Sequence, residues 1–197
     1  IINNERSNEK RNNNSSGYGS NVKNALTYAF KELGADYAIE VHGDNAQFDP
    51  SATYDALKFI EKEYDFILGS RFLNLKENMK YGYPLERMLP NFFISNIERI
   101  ILRIPISDFH QGFRIYGKKL YNKLKLDFLS NDYLFSFETI LFAKQENLKI
   151  GEVPVLANYK LPHTSHKLFG KDSAFTYQIK TFKLIYKFLK NSAFFKA

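Results

Sequence analysis

His42 and Asp44 are the residues of this chain whose types and position best suit a metal site. They follow the apolar run of residues 37–41 and precede Pro50, so a strand delivers them into a loop that ends at a proline. Open α/β sheets bind ligands at the carboxyl ends of their strands. Mg²⁺ and Mn²⁺ prefer carboxylate oxygens shared with substrate phosphates, and Mn²⁺ also accepts imidazole. The pattern predicts that Asp44 binds one of these ions with His42, and ordinary loop or turn residues are the alternative.

A turn that contains two glycines at the start of a predicted helix favours phosphate binding. Gly17 and Gly19 would let backbone amides approach a phosphate, and a helix N-terminus favours negative charge. Asn21 belongs to the same turn, and Lys23 adds a cation one turn into the helix. An ordinary loop-to-helix turn is the alternative interpretation.

Two arginines and one aspartate complete the set of residues that could do chemistry. Arg71 follows a predicted strand and Arg87 follows the next loop, and planar guanidinium groups bind phosphate oxygens bidentately. Either arginine could instead be an ion-pair partner. Asp108 lies just before another strand, where it could act as a general base or orient an acceptor. A turn residue paired with Arg114 is the alternative for Asp108.

Taken in order, these stretches resemble the family 2 glycosyltransferases with a GT-A fold, specifically the dolichyl-phosphate mannosyltransferase-like branch. The matching segments keep the family's order and similar spacing, and they are residues 17–23, 42–50, 69–71 and 108–114. Weaker matches at 131–132, 151–155 and 164–165 extend the resemblance over about residues 1–170.

The resemblance implies an inverting, metal-dependent transfer of a sugar from a nucleotide-diphosphate sugar to a lipid-phosphate or glycan acceptor. Asp44 and His42 would hold Mg²⁺ or Mn²⁺, and Asp108 would be the base or would orient the acceptor. Arg71 and Arg87 would hold phosphates. The implied fold is α/β and Rossmann-like, with a mixed, mainly parallel sheet flanked by helices.

Family members normally begin with a strand that ends in Pro-x-x-Asn-Glu, and this chain has no such motif. We therefore expect residues 1–170 to form a partial domain that lacks the first strands and is poorly active alone. Two other functions stay open: a non-catalytic or membrane-associated binding module that keeps the fold, and another nucleotide-binding α/β enzyme such as a nucleotidyltransferase.

The apolar periodicity predicts the elements that position these residues. The predicted helices are residues 18–33, 51–62, 85–102 and 135–145, and the predicted strands are residues 36–41, 64–68, 113–116 and 149–159. Residues 72–84 are expected to form a loop. Alternating strands and helices favour a parallel sheet with crossover connections. Pro90 should lie in the first turn of its helix or break it, and Pro154 suggests an edge strand.

The net charge of +7 lies entirely in the last part of the chain, where residues 160–197 carry eight lysines and one acidic residue. Residues 171–197 are predicted to form a basic amphipathic helix. Its apolar stripe and its neighbouring basic face are Phe175, Ile179, Phe182, Tyr186 and Leu189, and Lys180, Lys183, Lys187 and Lys190. Such a helix can lie on an anionic membrane or pack on its own domain, and both interpretations stay open.

The composition excludes several other classes of protein. Apolar residues make up 44% of the 197 residues and charged residues 25%, as in globular domains, and the absence of cysteine excludes disulfides. The basic residues follow no nucleic-acid-binding motif, so nucleic acid is not an expected partner. Neither a leader nor a long apolar run is visible, so we expect a cytoplasmic protein that contacts the inner face of the membrane through its C-terminal helix.

Overall fold

The computed structural model describes residues 17–41, 51–160, 174–191 and 194–195. The described residues form four strands, which are β1 (Tyr37–Glu40), β2 (Phe66–Ser70), β3 (Arg114–Gly117) and β4 (Ile150–Pro154). They also form seven α-helices, which are α1 (Tyr18–Thr27), α2 (Ser51–Ile60), α3 (Leu75–Lys80), α4 (Leu85–Leu102), α5 (Lys118–Lys123), α6 (Leu134–Gln145) and α7 (Ala174–Lys190). The predicted α/β class, a mixed sheet flanked by helices with a C-terminal helix, is confirmed.

The strands form one sheet in the order β1-β3-β2-β4. Strand β3 is antiparallel to both β1 and β2, whereas β2 and β4 are parallel. β1, β2 and β4 therefore share one direction, as the strand-helix-strand pattern predicts. Most pairings are nevertheless antiparallel, which differs from the mainly parallel sheet that we expected. The reason is that β3 lies between β1 and β2, and hydrophobic periodicity carries no information on strand direction.

Alternate strand residues face two separate hydrophobic clusters, because successive side chains of a strand point to opposite faces. Phe66, Leu68 and Tyr116 belong to the larger cluster, which is built with residues of α1, α4, α6 and α7. Ile67 and Ile115 face the smaller cluster, which α2 covers on the other side of the sheet. Helix α2 and helix α7 thus lie on opposite faces of the sheet.

Several helix boundaries match the sequence prediction. Helix α1 continues into a π-helical turn over Tyr28–Glu32, and Gly34 follows with a φ of 63°, as expected for a helix stop. Helix α4 spans the predicted residues and ends at Arg103 in the left-handed region. It also runs unbroken through Pro90, against expectation. Proline has no backbone N–H, so the carbonyl of Glu86, four residues earlier, receives no helical hydrogen bond from it. Glu86 is an exposed residue, so water can bind this carbonyl instead.

Two short helices depart from the prediction. Helix α3 lies within the stretch that we expected to be a loop, and α5 directly follows β3. Each has six residues, which is less than two helical turns, and so short a segment does not show a recognisable apolar repeat of 3.6 residues. Strand β4 is shorter than predicted but lies at one end of the described sheet, as Pro154 suggested.

Helix α7 packs on α6 through a face different from its aromatic stripe. Thr181, Leu184 and Ile185 are buried in the larger cluster, whereas the stripe that begins at Phe175 and ends at Leu189 is exposed. None of the helices in the described ranges is long and apolar enough to cross a membrane. The division of the chain at residue 170 stays a prediction.

Candidate functional site

The candidate site lies at one edge of the sheet, where the carboxyl ends of β1, β2 and β4 meet the start of β3. This convergence follows from the strand directions, since β3 is antiparallel to its neighbours. Arg71 follows β2 directly, the segment 107–113 leads into β3, and residues 155–159 follow β4. Three segments that are distant in the sequence therefore meet at the place where an open α/β sheet binds its ligands.

Arg71 and Asp108 form a buried bidentate ion pair at this edge. The Arg71 Nε donates to Asp108 Oδ2 at 2.7 Å, and Nη2 donates to Oδ1 at 2.9 Å. The backbone amides of Arg71 and His110 also donate to this carboxylate, each at 3.2 Å. The side chains of Arg71 and Asp108 are 7% and 0% exposed. Arg71 is thus an ion-pair partner, which was the alternative to phosphate binding in the sequence analysis. The pair lies inside the protein and not on its surface.

This geometry sets the charge of both groups. Burial alone would raise the pKa of Asp108, but the charge and hydrogen bonds of Arg71 outweigh it and hold that pKa below its ordinary value. Burial opposes the charged form of Arg71 as well, and Asp108 reverses this effect, so the pKa of Arg71 rises further. Asp108 is therefore ionised at neutral pH and is a weak proton acceptor.

Glu152 on β4 holds the segment that carries Asp108. Its Oε1 accepts the backbone amides of Ser107 at 2.8 Å and of Asp108 at 3.0 Å, and its Oε2 accepts the Ser107 hydroxyl at 2.9 Å. The Ser107 hydroxyl also lies 2.7 Å from that of Ser70 on β2. Burial raises the pKa of Glu152, while these hydrogen bonds oppose the shift. Glu152 thereby fixes the loop before β3 against β2 and β4.

Two stacked tyrosines form the wall of the site beside Arg71. The rings of Tyr83 and Tyr159 are nearly parallel, with centroids 4.7 Å apart. The Arg71 guanidinium lies 5.2 Å from the Tyr83 ring centre, and its Nη1 donates to the Tyr159 hydroxyl at 3.1 Å. Burial raises the pKa of Tyr83 to about 12, so its hydroxyl stays protonated. Nη1 is the one guanidinium nitrogen of Arg71 that does not bind Asp108.

Asn78, which the sequence analysis did not single out, joins three segments around the site. Its amide nitrogen, which carries two hydrogens, lies within hydrogen-bond distance of three carbonyls, those of Arg71 at 3.0 Å, Asn74 at 3.1 Å and Val155 at 2.9 Å. Its oxygen accepts the amide of Ala157 at 2.8 Å. The side chain is fully buried. No sequence signal could have identified it, because Asn78 looks like any polar residue of a loop.

Arg87 lies in the first turn of α4, four residues after Tyr83. It is partly exposed, and its guanidinium makes no hydrogen bond or ion pair with the residues that the structure describes. Of the two arginines predicted to bind phosphate, Arg87 is available to a ligand, whereas Arg71 is largely committed to Asp108.

The turn at Gly17 and Gly19 packs against the segment 129–132. A Cβ atom at Gly17 would lie 2.2 Å from the carbonyl oxygen of Asn131, and one at Gly19 would lie 2.5 Å from that of Ser130. The Lys23 ammonium donates to the Leu129 carbonyl and to the Asn131 side chain. The two glycines thus pack closely on this segment, and Lys23 is bound to it by hydrogen bonds.

Asn21 in the same turn is exposed. Phosphate binding by this turn stays a prediction. Helix α1 nevertheless starts at the correct edge of the sheet, because the hydroxyl of Tyr18 donates to Glu40 at the end of β1.

A second polar cluster lies around Glu40 and the buried Arg114, and the sequence analysis did not identify it. The Glu40 carboxylate accepts the hydroxyls of Tyr18 and Tyr116, the latter at 2.6 Å. Arg114 is fully buried beside these groups and donates weakly to the carbonyls of Phe109 and Gln111. Asp108 pairs with Arg71 and not with Arg114, which corrects one alternative. The sequence gives no means of choosing between two arginines that lie at such different distances along the chain.

The predicted metal ligands, His42 and Asp44, lie outside the described residues. Strand β1 ends at Glu40, so the chain enters this segment at the edge that carries Arg71 and Asp108. Within the described ranges, no group of three or more His, Asp or Glu side chains could hold a metal ion.

Comparison with known proteins gives distant relatives, and no family model matches the chain. The chain is 28% identical over 145 residues to a UDP-N-acetylglucosamine–dolichyl-phosphate N-acetylglucosaminyltransferase of Methanococcus voltae, covering 73% of this chain and 56% of that protein. It is 28% identical over 176 residues to an uncharacterised protein of Methanocaldococcus jannaschii, covering 89% and 66%.

A third relative is a glycosyltransferase, AglD, of Haloferax volcanii, at 25% identity over 93 residues, covering 47% and 14%. The chain thus spans less than two thirds of each of these curated relatives. Two of the three relatives are named as glycosyltransferases, and one of those names includes a dolichyl-phosphate acceptor.

Proposed function

We propose that this chain is the catalytic part of an inverting glycosyltransferase that moves a sugar from a nucleotide-diphosphate sugar to a lipid phosphate. The observation that carries this proposal is the buried Arg71–Asp108 pair at the edge where open α/β sheets bind their ligands, and Arg87 follows in the first turn of α4. The names of two relatives and the order of the sequence motifs support the same class of reaction.

The charge state of Asp108 favours a phosphate over an alcohol as the acceptor. An alcohol must lose its proton when it attacks the sugar, and a base is most efficient at that step when its pKa lies near the working pH. Asp108 is buried, and its pKa is held below its ordinary value. A lipid phosphate monoester is a dianion above about pH 6, so its attacking oxygen carries no proton and needs no base. Asp108 then acts by orienting Arg71, which corresponds to the acceptor-orienting role, one of the two roles that the sequence resemblance implies.

In the proposed reaction, an oxygen of the lipid phosphate attacks the anomeric carbon of the donor sugar. The bond from that carbon to the diphosphate oxygen breaks, and the nucleoside diphosphate leaves with the electron pair, so the configuration inverts. Arg87 would bind the acceptor phosphate, and Nη1 of Arg71 would join it when the phosphate displaces the Tyr159 hydroxyl. Since the nucleophile carries no proton, no proton transfer is needed.

A divalent metal would neutralise the charge that develops on the leaving diphosphate. We propose Asp44 and His42 as its ligands, since a carboxylate and an imidazole suit Mn²⁺ and a carboxylate suits Mg²⁺. This part rests on the sequence motif and on the course of β1, which leads toward the same edge as β2.

Kinetics of single variants test the proposal. Arg87→Ala should raise the KM for polyprenyl monophosphate in detergent solution much more than it lowers kcat. Arg99→Ala, on the same helix but three turns away, is the matched control and should leave both constants unchanged. Asp44→Ala should abolish the Mn²⁺ dependence of donor hydrolysis. Hydrolysis that is unchanged by Asp44→Ala would refute the metal assignment, and equal effects of both arginine variants would refute the role of Arg87.

A further inference from the structure

His110 follows Asp108 by two residues in the segment 107–113, and the proposed reaction gives it no role. Its side chain is 8% exposed, and its Nε2 lies 3.0 Å from a carboxylate oxygen of Glu98 on α4, which is fully buried. Within the described ranges, the ion pair with His110 is the one that Glu98 makes. A buried carboxylate that loses its partner is costly, so the pair ties the segment 107–113 firmly to α4.

Two further helices contact the same imidazole. On α7, the side-chain amide nitrogen of Gln178 lies 3.3 Å from Nε2 of His110, and the Tyr177 ring packs edge-to-face on the imidazole with centroids 5.7 Å apart. On α6, the Phe137 ring is nearly parallel to the imidazole, at 6.1 Å between centroids. Helices α4, α6 and α7 therefore converge on His110 and hold its ring in one orientation.

His110 also acts directly on Asp108. Its backbone amide donates to Oδ1 of Asp108 at 3.2 Å. Burial would raise the pKa of Asp108, and a positive charge on His110 acts with that of Arg71 to keep this pKa below its ordinary value. A shift of His110 would therefore reach the carboxylate that binds Arg71.

The segment 107–113 is thus fixed from two sides. From β4, Glu152 accepts the backbone amides of its first two residues. From α4, the Ser95 hydroxyl accepts the backbone amide of Phe109 at 3.4 Å, and Glu98 pairs with His110. The Asp108 carboxylate lies between these two attachments, so its position depends on both.

We propose that His110 is a positioning residue of the candidate site. Held by Glu98 and Gln178, it fixes the segment that carries Asp108. Asp108 in turn sets the direction in which Arg71 presents Nη1. That this nitrogen receives the acceptor phosphate is the step that rests on the proposed function. Because Gln178 belongs to α7, the same contact makes the geometry of the site depend on how α7 packs.

Acceptor kinetics with the full chain separate a positioning role from a purely structural one. Glu98→Gln removes the charge of the pair at nearly constant shape. It should raise the KM for polyprenyl monophosphate about tenfold, as expected for the loss of one hydrogen bond to a charged group, and leave kcat nearly unchanged. A variant that is merely less stable contains less active protein, so its apparent kcat falls at the KM of the wild type.

Two further variants complete this experiment. His110→Gln should be more damaging than Glu98→Gln, because Glu98 then stays buried without a partner. The double variant with both substitutions should lie closer to wild type than His110→Gln alone, since two neutral amides can bind each other. Leu124→Ala is the matched control. It opens a cavity in the larger cluster beyond α5, at the far end of β3, and should leave the KM unchanged.

Nuclear magnetic resonance of the arginine side chains gives a second readout that needs no transfer activity. The Nε–H of Arg71 is buried in its hydrogen bond to Asp108, so its signal should exchange slowly with solvent, and Arg71→Lys assigns it. Glu98→Gln and the milder Gln178→Ala should both shift this signal and speed its exchange. Leu124→Ala should do neither. This measurement decides the role of His110 even where a failure of the proposed function leaves no KM to measure.

Three results would overturn the inference. The first is an Arg71 signal that Glu98→Gln and Gln178→Ala leave unchanged. The second is a Leu124→Ala variant that moves the signal or the KM as much as Glu98→Gln does, because general loosening of the fold would then be the cause. The third is a double variant whose loss equals the sum of the two single losses, because Glu98 and His110 would then act separately.

Discussion

Asp108→Asn should be strongly destabilising, because it removes one charge of a buried pair and leaves the other. Asparagine keeps the shape of the side chain, but the Arg71 guanidinium stays charged and almost fully buried. Removing one partner of such a pair costs about 3–5 kcal/mol. Total stabilities are about 5–15 kcal/mol, so a large part of the free energy of unfolding is at risk. For a chain of this length the thermal midpoint should fall by about 6–20 °C.

The effect should depend on pH with a defined sign. The folded-state pKa of Asp108 lies below its unfolded value of about 3.9, so the carboxylate contributes stability above that pH. This contribution is lost only as the pH falls through the still lower folded-state value. The gap between wild type and variant should therefore be constant from pH 7 to pH 5 and narrow below about pH 4.

Urea unfolding followed by circular dichroism measures both effects. The double variant Arg71→Met with Asp108→Leu should recover much of the stability, since no unpaired charge remains. Glu77→Gln, which breaks the exposed Lys80–Glu77 pair on α3, is the control and should not move the midpoint. A loss below about 1 kcal/mol for Asp108→Asn would refute the reasoning, because the pair would then have to be solvated.

Three further changes test the supports of the site. Asn78→Ala should cost about 2–4 kcal/mol in urea unfolding, because the Val155 carbonyl and its neighbours lose a buried donor. A loss near zero would show that this link does not matter. Gly19→Ala should lower stability by about 1–3 kcal/mol, since its Cβ would overlap the Ser130 carbonyl; lost nucleotide binding at unchanged stability would instead favour the phosphate role. Glu152→Gln should flatten the pH dependence of stability. Because burial raises the folded-state pKa of Glu152, the wild type should lose stability as the pH rises from about 4.3 through that higher value. An equally steep decline in the variant would contradict this cause.

The bounds of helices could be predicted from the sequence where they depend on residues that are close together in the chain. The bounds of α4 follow from its apolar repeat, and the end of α1 follows from Gly34. The position of β3 between β1 and β2 could not be predicted, because strand pairing depends on contacts that are distant along the chain.

The face on which α7 packs could not be predicted from the sequence either. Its aromatic stripe is the more regular pattern, yet Leu184 and Ile185 make the contact with the core. Both interpretations of α7 therefore stand in part: the helix packs on its domain and still presents an apolar, basic face.

In the candidate site, the sequence was enough to select residues but not to predict how they interact. Arg71, Arg87 and Asp108 could be selected from their types and their places after or before strands. Their states could not be predicted, because the pairing of Arg71 with Asp108 joins residues 37 positions apart. The roles of Glu152 and Asn78 arise only from packing, since each carries hydrogen bonds to segments distant in the sequence.

The most direct test of the proposed function is the choice between two acceptors that differ only in their head group. Sugar transfer from labelled nucleotide-diphosphate sugars would be measured with polyprenyl monophosphate and with the corresponding polyprenol. Because Asp108 is held in the buried ion pair with Arg71, which keeps its pKa below the ordinary value, we expect much faster transfer to the phosphate than to the alcohol. Transfer to the alcohol at a comparable rate would contradict the proposal.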